Sequence, residues 1–254
     1  MNINKITEII AIALNDYWGE DRGDSPWREP LAAVAEAHDP LFHELKKVVS
    51  PTHFLPMDLL PDARSVICFF LPFTKEVSEG NRKERLASTG WARAYIDTNR
   101  AIAKISGMLA DELKENGHES ATVPATHNFL PEKCISDWSH RHAAYIAGLG
   151  TFGINNMLIT SSGCAGRFGS LITSCKIEPS KKLEKEYCLY KVNGTCGVCV
   201  KQCPTGALTF KSFDRFRCYD MLLENDRYHN MEEEADVCGK CLVGLPCSLK
   251  APGI

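Results

Sequence analysis

Twelve cysteines occur in this 254-residue chain, and eight of them lie beyond residue 187. They are Cys188, Cys196, Cys199, Cys203, Cys218, Cys238, Cys241 and Cys247. Cys196 to Cys199 and Cys238 to Cys241 are C-x2-C steps, and Cys199 is followed after three residues by Cys203-Pro204. Thiolates repeated at such intervals are ligands for soft metals. A four-cysteine zinc site explains the two C-x2-C pairs. It gives no reason for the three-residue step into Cys203-Pro204 and accommodates eight cysteines only with effort. Disulfides require an oxidising compartment.

The same run fits the two-cluster ferredoxin pattern. There, three cysteines hold one cluster and a fourth, followed by proline, ligates the other. Two such groups supply eight thiolates for two 4Fe–4S cubes, and the expected sets are crossed. Cys188, Cys196, Cys199 and Cys247 form one; Cys203, Cys218, Cys238 and Cys241 form the other. The outer members depart from the ideal run. Seven residues separate Cys188 from Cys196, five separate Cys241 from Cys247, and Pro246 precedes the last cysteine. Adjacent clusters conduct electrons, which implies redox chemistry at one end of the pair.

A second group of interest is Gly148-Leu149-Gly150-Thr151-Phe152-Gly153, a G-x-G-x-x-G. The dinucleotide version follows a strand, opens a helix and has an acid about twenty residues on. Here the run follows a helical segment, and the residue at that distance is Thr173. The glycines suit a helix end with a tight turn, or a close approach of backbone to a flat ligand. Gly163 to Gly169 is a further glycine group beyond the next strand. Asp137 and His140, three residues apart, share one face of an expected helix and make a credible proton-delivery pair or an ordinary surface pair. His140 and His142 are expected to point about 200° apart on that helix. Cys68, Cys164 and Cys175 read as small buried apolar residues.

The elements that must position these groups follow from periodicity. Ile3 to Trp18 has helical spacing, with Ile6, Ile9, Ile10, Ala13 and Leu14 on one side. Residues 19–62 read as irregular with short helices. Ser65 to Leu71 is a continuous apolar run suited to a buried strand. Asn99 to Asn116 is an amphipathic helix stopped at Gly117. Ala121 to Pro124, Leu158 to Thr160 and Ser170 to Ile177 are strand candidates. Asp137 to Ala147 is a helix with Ser136 as N-cap. Residues 179–186 form a linker. The expected class is α+β: a mixed α/β body over residues 1–180, then a cluster-bearing unit over 181–254.

The chain is 44% hydrophobic and 24% charged with net charge −3, an ordinary composition without a basic excess for nucleic acid. The N-terminus lacks a signal-peptide pattern, and no apolar run approaches a membrane span. A cytoplasmic protein without membrane contact is expected.

Ala147 to Thr160, AGLGTFGINNMLIT, then GRFGSLITSCKI, then the cysteines, resemble the epoxyqueuosine reductase family, which is related to the corrinoid-dependent reductive dehalogenases. Leu60 to Phe73, LPDARSVICFFLPF, resembles the family's early strand. The resemblance implies a nitroreductase-like domain holding cobalamin or a related corrinoid, followed by a ferredoxin-like domain with two 4Fe–4S clusters. It also implies corrinoid contacts at Gly148, Gly150, Thr151, Gly153, Asn155 and Arg167. The resemblance implies cobalamin held with no histidine beneath the cobalt, and the absence of a D-x-H-x-x-G corrinoid box agrees with that mode. Counting back from Ala147, the family's proton-donating aspartate falls on Cys134, and Asp137 is the nearest carboxylate. Asp137, Cys134, His140 and Tyr95 are therefore the catalytic candidates. The chain stops seven residues after Cys247, short of the helical repeats of the tRNA-modifying members. A small-molecule substrate and an external ferredoxin- or flavodoxin-like donor are expected, and tRNA is not. The alternatives are a non-catalytic electron-transfer or corrinoid-reactivating protein, and a zinc-binding interaction module.

Overall fold

The computed structural model describes residues 1–19, 22–124 and 128–253. The elements run α1 (Ile3–Trp18), β1 (Leu31–Glu36), α2 (Leu41–Val48), α3 (Pro56–Leu59), β2 (Ser65–Pro72), α4 (Lys75–Gly80), α5 (Thr89–Glu115) and β3 (Ser120–Thr122). They continue with α6 (His140–Ile146), β4 (Gly150–Phe152), β5 (Leu158–Thr160), β6 (Gly166–Thr173), α7 (Leu189–Asn193), α8 (Val198–Lys201) and α9 (Arg215–His229). Four strands pair antiparallel in the order β1-β2-β6-β3, and β4 and β5 make a separate hairpin. The chain is thus mixed α/β with small antiparallel sheets.

Every residue of β2 is buried. Successive side chains of a strand point to opposite faces, so a run without polar interruption needs cover on both sides. Ile67, Phe69 and Leu71 enter one apolar cluster with α1 and α5. Val66, Cys68 and Phe70 enter the other, with Phe42 and Leu45 of α2 and Ala143, Ala144 and Ile146 of α6. The sheet is therefore the middle of three layers. Cys68 is fully buried there, as expected of a small apolar residue.

Helix α1 spans the residues its periodicity indicates, capped by the Asn2 side chain accepting from Lys5 N–H at 3.0 Å. Helix α5 begins ten residues before the expected Asn99. Ser88 caps it by accepting from Trp91 N–H at 3.2 Å, and Trp91, Ala92 and Ile96 are buried along the added turns. Strand β1 was expected to be irregular. Its LAAVAE sequence has neither alternation nor strong β-propensity; it is extended because β2 offers it a full antiparallel partner. Its outer edge is covered by the linker: Ser180 N–H donates to the Val34 carbonyl, and Val34 N–H donates to Ser180 Oγ.

Helix α6 starts at His140, not Asp137, and its N-cap is Ser139. Ser136 instead turns back on Trp138, donating to its carbonyl at 3.1 Å. The Trp138 ring is drawn inward against Phe42 and His53, and its indole N–H donates to Ser170 Oγ at 2.9 Å. Burying that ring takes residues 136–138 off the helix path. Among the described residues, no helix is long and apolar enough to cross a membrane.

Candidate functional site

Four cysteines, Cys188, Cys196, Cys199 and Cys247, line one small hollow together with Gly153, Asn155 and Pro246. They come from the start of α7, the turn before α8, α8 itself and the final loop. Short helices separated by turns let thiols far apart in sequence face one point. The other four cysteines feel one another electrostatically: Cys238 and Cys203 act on Cys218, and Cys238, Cys218 and Cys203 act on Cys241. Burial pushes the Cys199 thiol up to about 11 and Cys218 up to about 12. Burial also acts upward on Cys203, but hydrogen bonds from Leu208 N–H and the Thr205 hydroxyl bring it below the ordinary thiol value. Cys164, expected to be structural, is buried beside Cys247. Its thiol donates to the Cys247 sulfur, which raises the first and lowers the second.

Among the described residues, no three His, Cys, Asp or Glu side chains gather closely enough for a single metal ion. A cubane does not require that, because each of its four irons takes one thiolate. The residues around the hollow fit such a group: four sulfurs, an apolar wall of Ile154, Ile159 and Leu245, and no carboxylate.

Beside the cysteines lies an open cavity of about 960 Å³. Its wall includes Tyr95 from α5, Cys134, the N-terminal turn of α6, Gly153, Ile154, Asn156, Met157, Arg167 of β6, Cys218 of α9 and Asp236. Cys218 thus belongs both to a cysteine set and to the cavity. The Tyr95 hydroxyl donates to Asp236, and the Arg167 guanidinium lies over the Tyr95 ring at 4.0 Å. Burial is the main cause that pushes Tyr95 up to about 12, so the phenol keeps its proton.

The other catalytic candidates divide. Cys134 lines the cavity in a left-handed conformation, φ 48°, and its thiol donates to the Pro131 carbonyl. His140 also lines it, but is buried with both ring nitrogens engaged. Nδ1 contacts Ser170 Oγ at 2.8 Å and Nε2 contacts the Pro124 carbonyl at 2.9 Å. Only the Nε2–H tautomer satisfies the carbonyl. Asp137 lies off the cavity wall, where its carboxylate accepts from the Thr52 hydroxyl at 2.5 Å. Because Asp137 precedes the helix, the expected pairing with His140 on one helical face does not form. His140 and His142, expected to face apart, both reach the cavity, because it follows the side of α6 around.

The corrinoid candidates divide as well. Gly153 and Arg167 line the cavity. Gly148, φ +84°, ends α6, and a Cβ there would meet the Lys181 carbonyl at 2.4 Å. Gly150 is the first residue of the β4–β5 hairpin, opposite Thr160. Thr151 donates to Glu186 and accepts from Tyr187 N–H, so this half of the loop holds the linker. Asn155 is buried, donating to the Cys241 carbonyl at 2.8 Å. Arg141 and Asp236 also line the cavity, although no spacing in the sequence singles them out.

Comparison with known proteins gives these residues a context. The chain is similar to the epoxyqueuosine reductases. It is 30% identical over 161 residues to the epoxyqueuosine reductase of Bacillus subtilis strain 168, covering 60% of this chain and 37% of that protein. It is 26% identical over 161 residues to the Bacillus cereus epoxyqueuosine reductase, covering 60% of this chain and 38% of that one. The chain therefore spans a little over a third of the length of these curated relatives. No protein-family model matches it.

Solved structures share the fold. An epoxyqueuosine reductase from Bacillus subtilis, solved with a catalytic aspartate loop swung out of its active site, superimposes with a TM-score of 0.59 at 21% identity, covering 97% of this chain and 66% of that one. A catabolic reductive dehalogenase gives 0.62 at 15% identity, covering 98% and 37%. The expectation against tRNA is corrected by a third epoxyqueuosine reductase, solved with an epoxyqueuosine-modified tRNA-Tyr stem loop. It matches with a TM-score of 0.55 at 20% identity, over 89% of this chain and 59% of that one. The net charge of −3 does not decide the point, because net charge is a sum and phosphate contact is local.

Proposed function

We propose that this chain is an oxidoreductase of the epoxyqueuosine reductase type, in which residues 181–254 hold two 4Fe–4S clusters and residues 1–180 hold a corrinoid. When bound, the clusters supply one-electron transfer and the corrinoid supplies a strongly reducing metal centre. The observation that carries this reading is the position of Cys218. It belongs to the second set of four cysteines and also lines the cavity of about 960 Å³. Electrons delivered to that set would end within reach of whatever the cavity holds.

Cys188, Cys196, Cys199 and Cys247 would hold one cluster, and Cys203, Cys218, Cys238 and Cys241 the other. Gly153 and Arg167 would contact the corrinoid. This chain's own residues would bind and orient the substrate, exclude water and provide a proton to the reduced product. Tyr95 and Cys134 are the proton sources on the cavity wall: burial keeps the phenol protonated and pushes the Cys134 thiol up. Asp236, accepting from the Tyr95 hydroxyl, holds that phenol in place.

The test is anaerobic reconstitution followed by metal analysis and visible spectroscopy with and without cobalamin. About seven to eight irons per chain are expected, with a corrinoid spectrum altered on binding. Zinc with no visible absorption would overturn the reading. Bound cofactors without turnover of any substrate, including a tRNA stem loop of the kind held by the relative, would favour a non-catalytic electron-transfer role.

A further inference from the structure

The large cavity is lined by Arg141, Arg167, Arg215 and Lys191, the last paired with Glu186, and Asp236 is the only carboxylate in its described wall. That carboxylate is occupied by the Tyr95 hydroxyl. Among the described residues, none of the three arginines forms an ion pair. Elsewhere Arg82, Arg85 and Arg100 pair with Glu79, Glu224 and Glu233. Arg64, Arg93, Arg215, Arg217 and Arg227 have no ion pair among the described residues but are exposed to water. Arg141 and Arg167 are half-buried and unpaired.

Both are held in place from behind. Arg141 donates through Nη1 to the Asn156 carbonyl at 2.7 Å and contacts the Met157 sulfur at 3.0 Å. Asn156 presents that carbonyl from a left-handed backbone, φ 58°. Arg167 is stacked on Tyr95, and its Nε is buried without a hydrogen-bond partner. The two charges sense each other: burial first, then Arg167, pull Arg141 below its ordinary value, while the Cys241 and Cys218 sulfurs act upward on it and Arg167 also acts on Asp236. Two like charges kept together and partly desolvated are costly unless an anion joins them. Planar guanidinium forks match the oxygens of phosphates and carboxylates.

We propose that Arg141 and Arg167 together seat an anionic group, a phosphate or a carboxylate, inside the large cavity. This names the chemistry of what enters the site proposed above. It rests on that reading only in taking the cavity as the working site, not on either cofactor. The anion can belong to the substrate or to the phosphodiester of a corrinoid's nucleotide tail.

Calorimetric titration of the full chain at constant ionic strength tests this, with inorganic phosphate and benzoate as probes and benzamide as the neutral control. Saturable binding of the two anions and none of benzamide is expected. Arg141→Met and Arg167→Met should each weaken it at least tenfold, and Lys75→Met, on the exposed side of α4, should not change it. Arg141→Lys and Arg167→Lys keep the charge but lose the fork, and at least threefold weakening is expected. They carry the test if the methionine variants do not fold. No saturable anion binding by the unaltered chain, or equal binding by the arginine variants, overturns the proposal. Displacement of phosphate by cobalamin but not by cobinamide, which lacks the phosphodiester, assigns the anion to the cofactor tail. Displacement by neither assigns it to the substrate. Iron content and visible spectrum, which test the reductase reading, are independent of these outcomes.

Discussion

Asn155 and Cys241 are joined across 86 residues of sequence by one hydrogen bond, Asn155 Nδ2 donating to the Cys241 carbonyl at 2.8 Å. The other end of the amide, Oδ1, accepts from Met157 N–H at 3.2 Å. One buried side chain therefore fixes the turn of the β4–β5 hairpin and a loop of the cysteine region at once. Asn155→Ala leaves that carbonyl without its partner, which costs about 1–3 kcal/mol. Urea denaturation should show the lower stability, and amide exchange at residues 238–247 should quicken. An unchanged midpoint would mean that the bond contributes nothing.

Gly239 stands between two cysteines and touches α5. Its φ is +71°, and a Cβ would lie 2.3 Å from Trp91 ring carbons. Gly239→Ala combines a left-handed penalty of about 1–2 kcal/mol with overpacking of about 1–3 kcal/mol. A marked fall in melting temperature is expected, while Gly90→Ala, whose Cβ meets nothing within 4 Å, should be tolerated.

His142 supplies a pH dependence. Burial first, then Arg141 and His53, pull its pKa down to about 3 from the ordinary 6.5. Above pH 6.5 it is neutral both folded and unfolded. As pH falls from 6.5 toward 3, the unfolded chain takes up a proton that the folded chain refuses, so stability drops across that window. His142→Phe, which keeps a ring against Phe152, removes this contribution. Denaturation at pH 6.5 and 4.5 should show a shallower loss in the variant than in the unaltered protein, and identical slopes would refute the assignment.

The proposed crossing of the cysteine sets has its own signature. Cys203 follows Cys199 by four residues, just past the end of α8, yet its electrostatic neighbours include Cys218 and Cys241. Cys203→Ala should remove about half the iron after reconstitution, and should spare the cluster otherwise lost in Cys196→Ala. Loss of the same cluster in both variants, seen by electron paramagnetic resonance, would show the sets are not crossed.

The sequence carried α1, β2 and β5 clearly, because each rests on local periodicity or on an unbroken apolar run. It did not carry β1 or the first ten residues of α5. Leu31 to Glu36 has no strand pattern of its own and is extended by its partner. The polar residues among Trp91 to Asn99 disguise a helix whose buried face is set by Phe73 and the cysteine region. The eight cysteines from Cys188 to Cys247 stand out by spacing alone, and their proposed role as ligands rests on that spacing and on the hollow that four of them line. The cavity wall was less so. Arg141 and Asp236 gain their meaning only from neighbours brought together by folding. Asp137, prominent beside His140 in the sequence, leaves that company once Trp138 is buried and pulls it toward Thr52.

Arg28 donates to three backbone carbonyls, those of Phe73 at 2.8 Å, Ser162 at 2.6 Å and Leu249 at 3.0 Å. The last partner is 221 residues away. During synthesis the guanidinium would leave the ribosome on the order of ten seconds or more before that carbonyl exists, at about 5–20 residues per second. The apolar cluster closed alongside it runs from Ile6 to Ala251. The nascent chain must therefore carry α1 and α5 with part of their cover missing while the cysteines emerge.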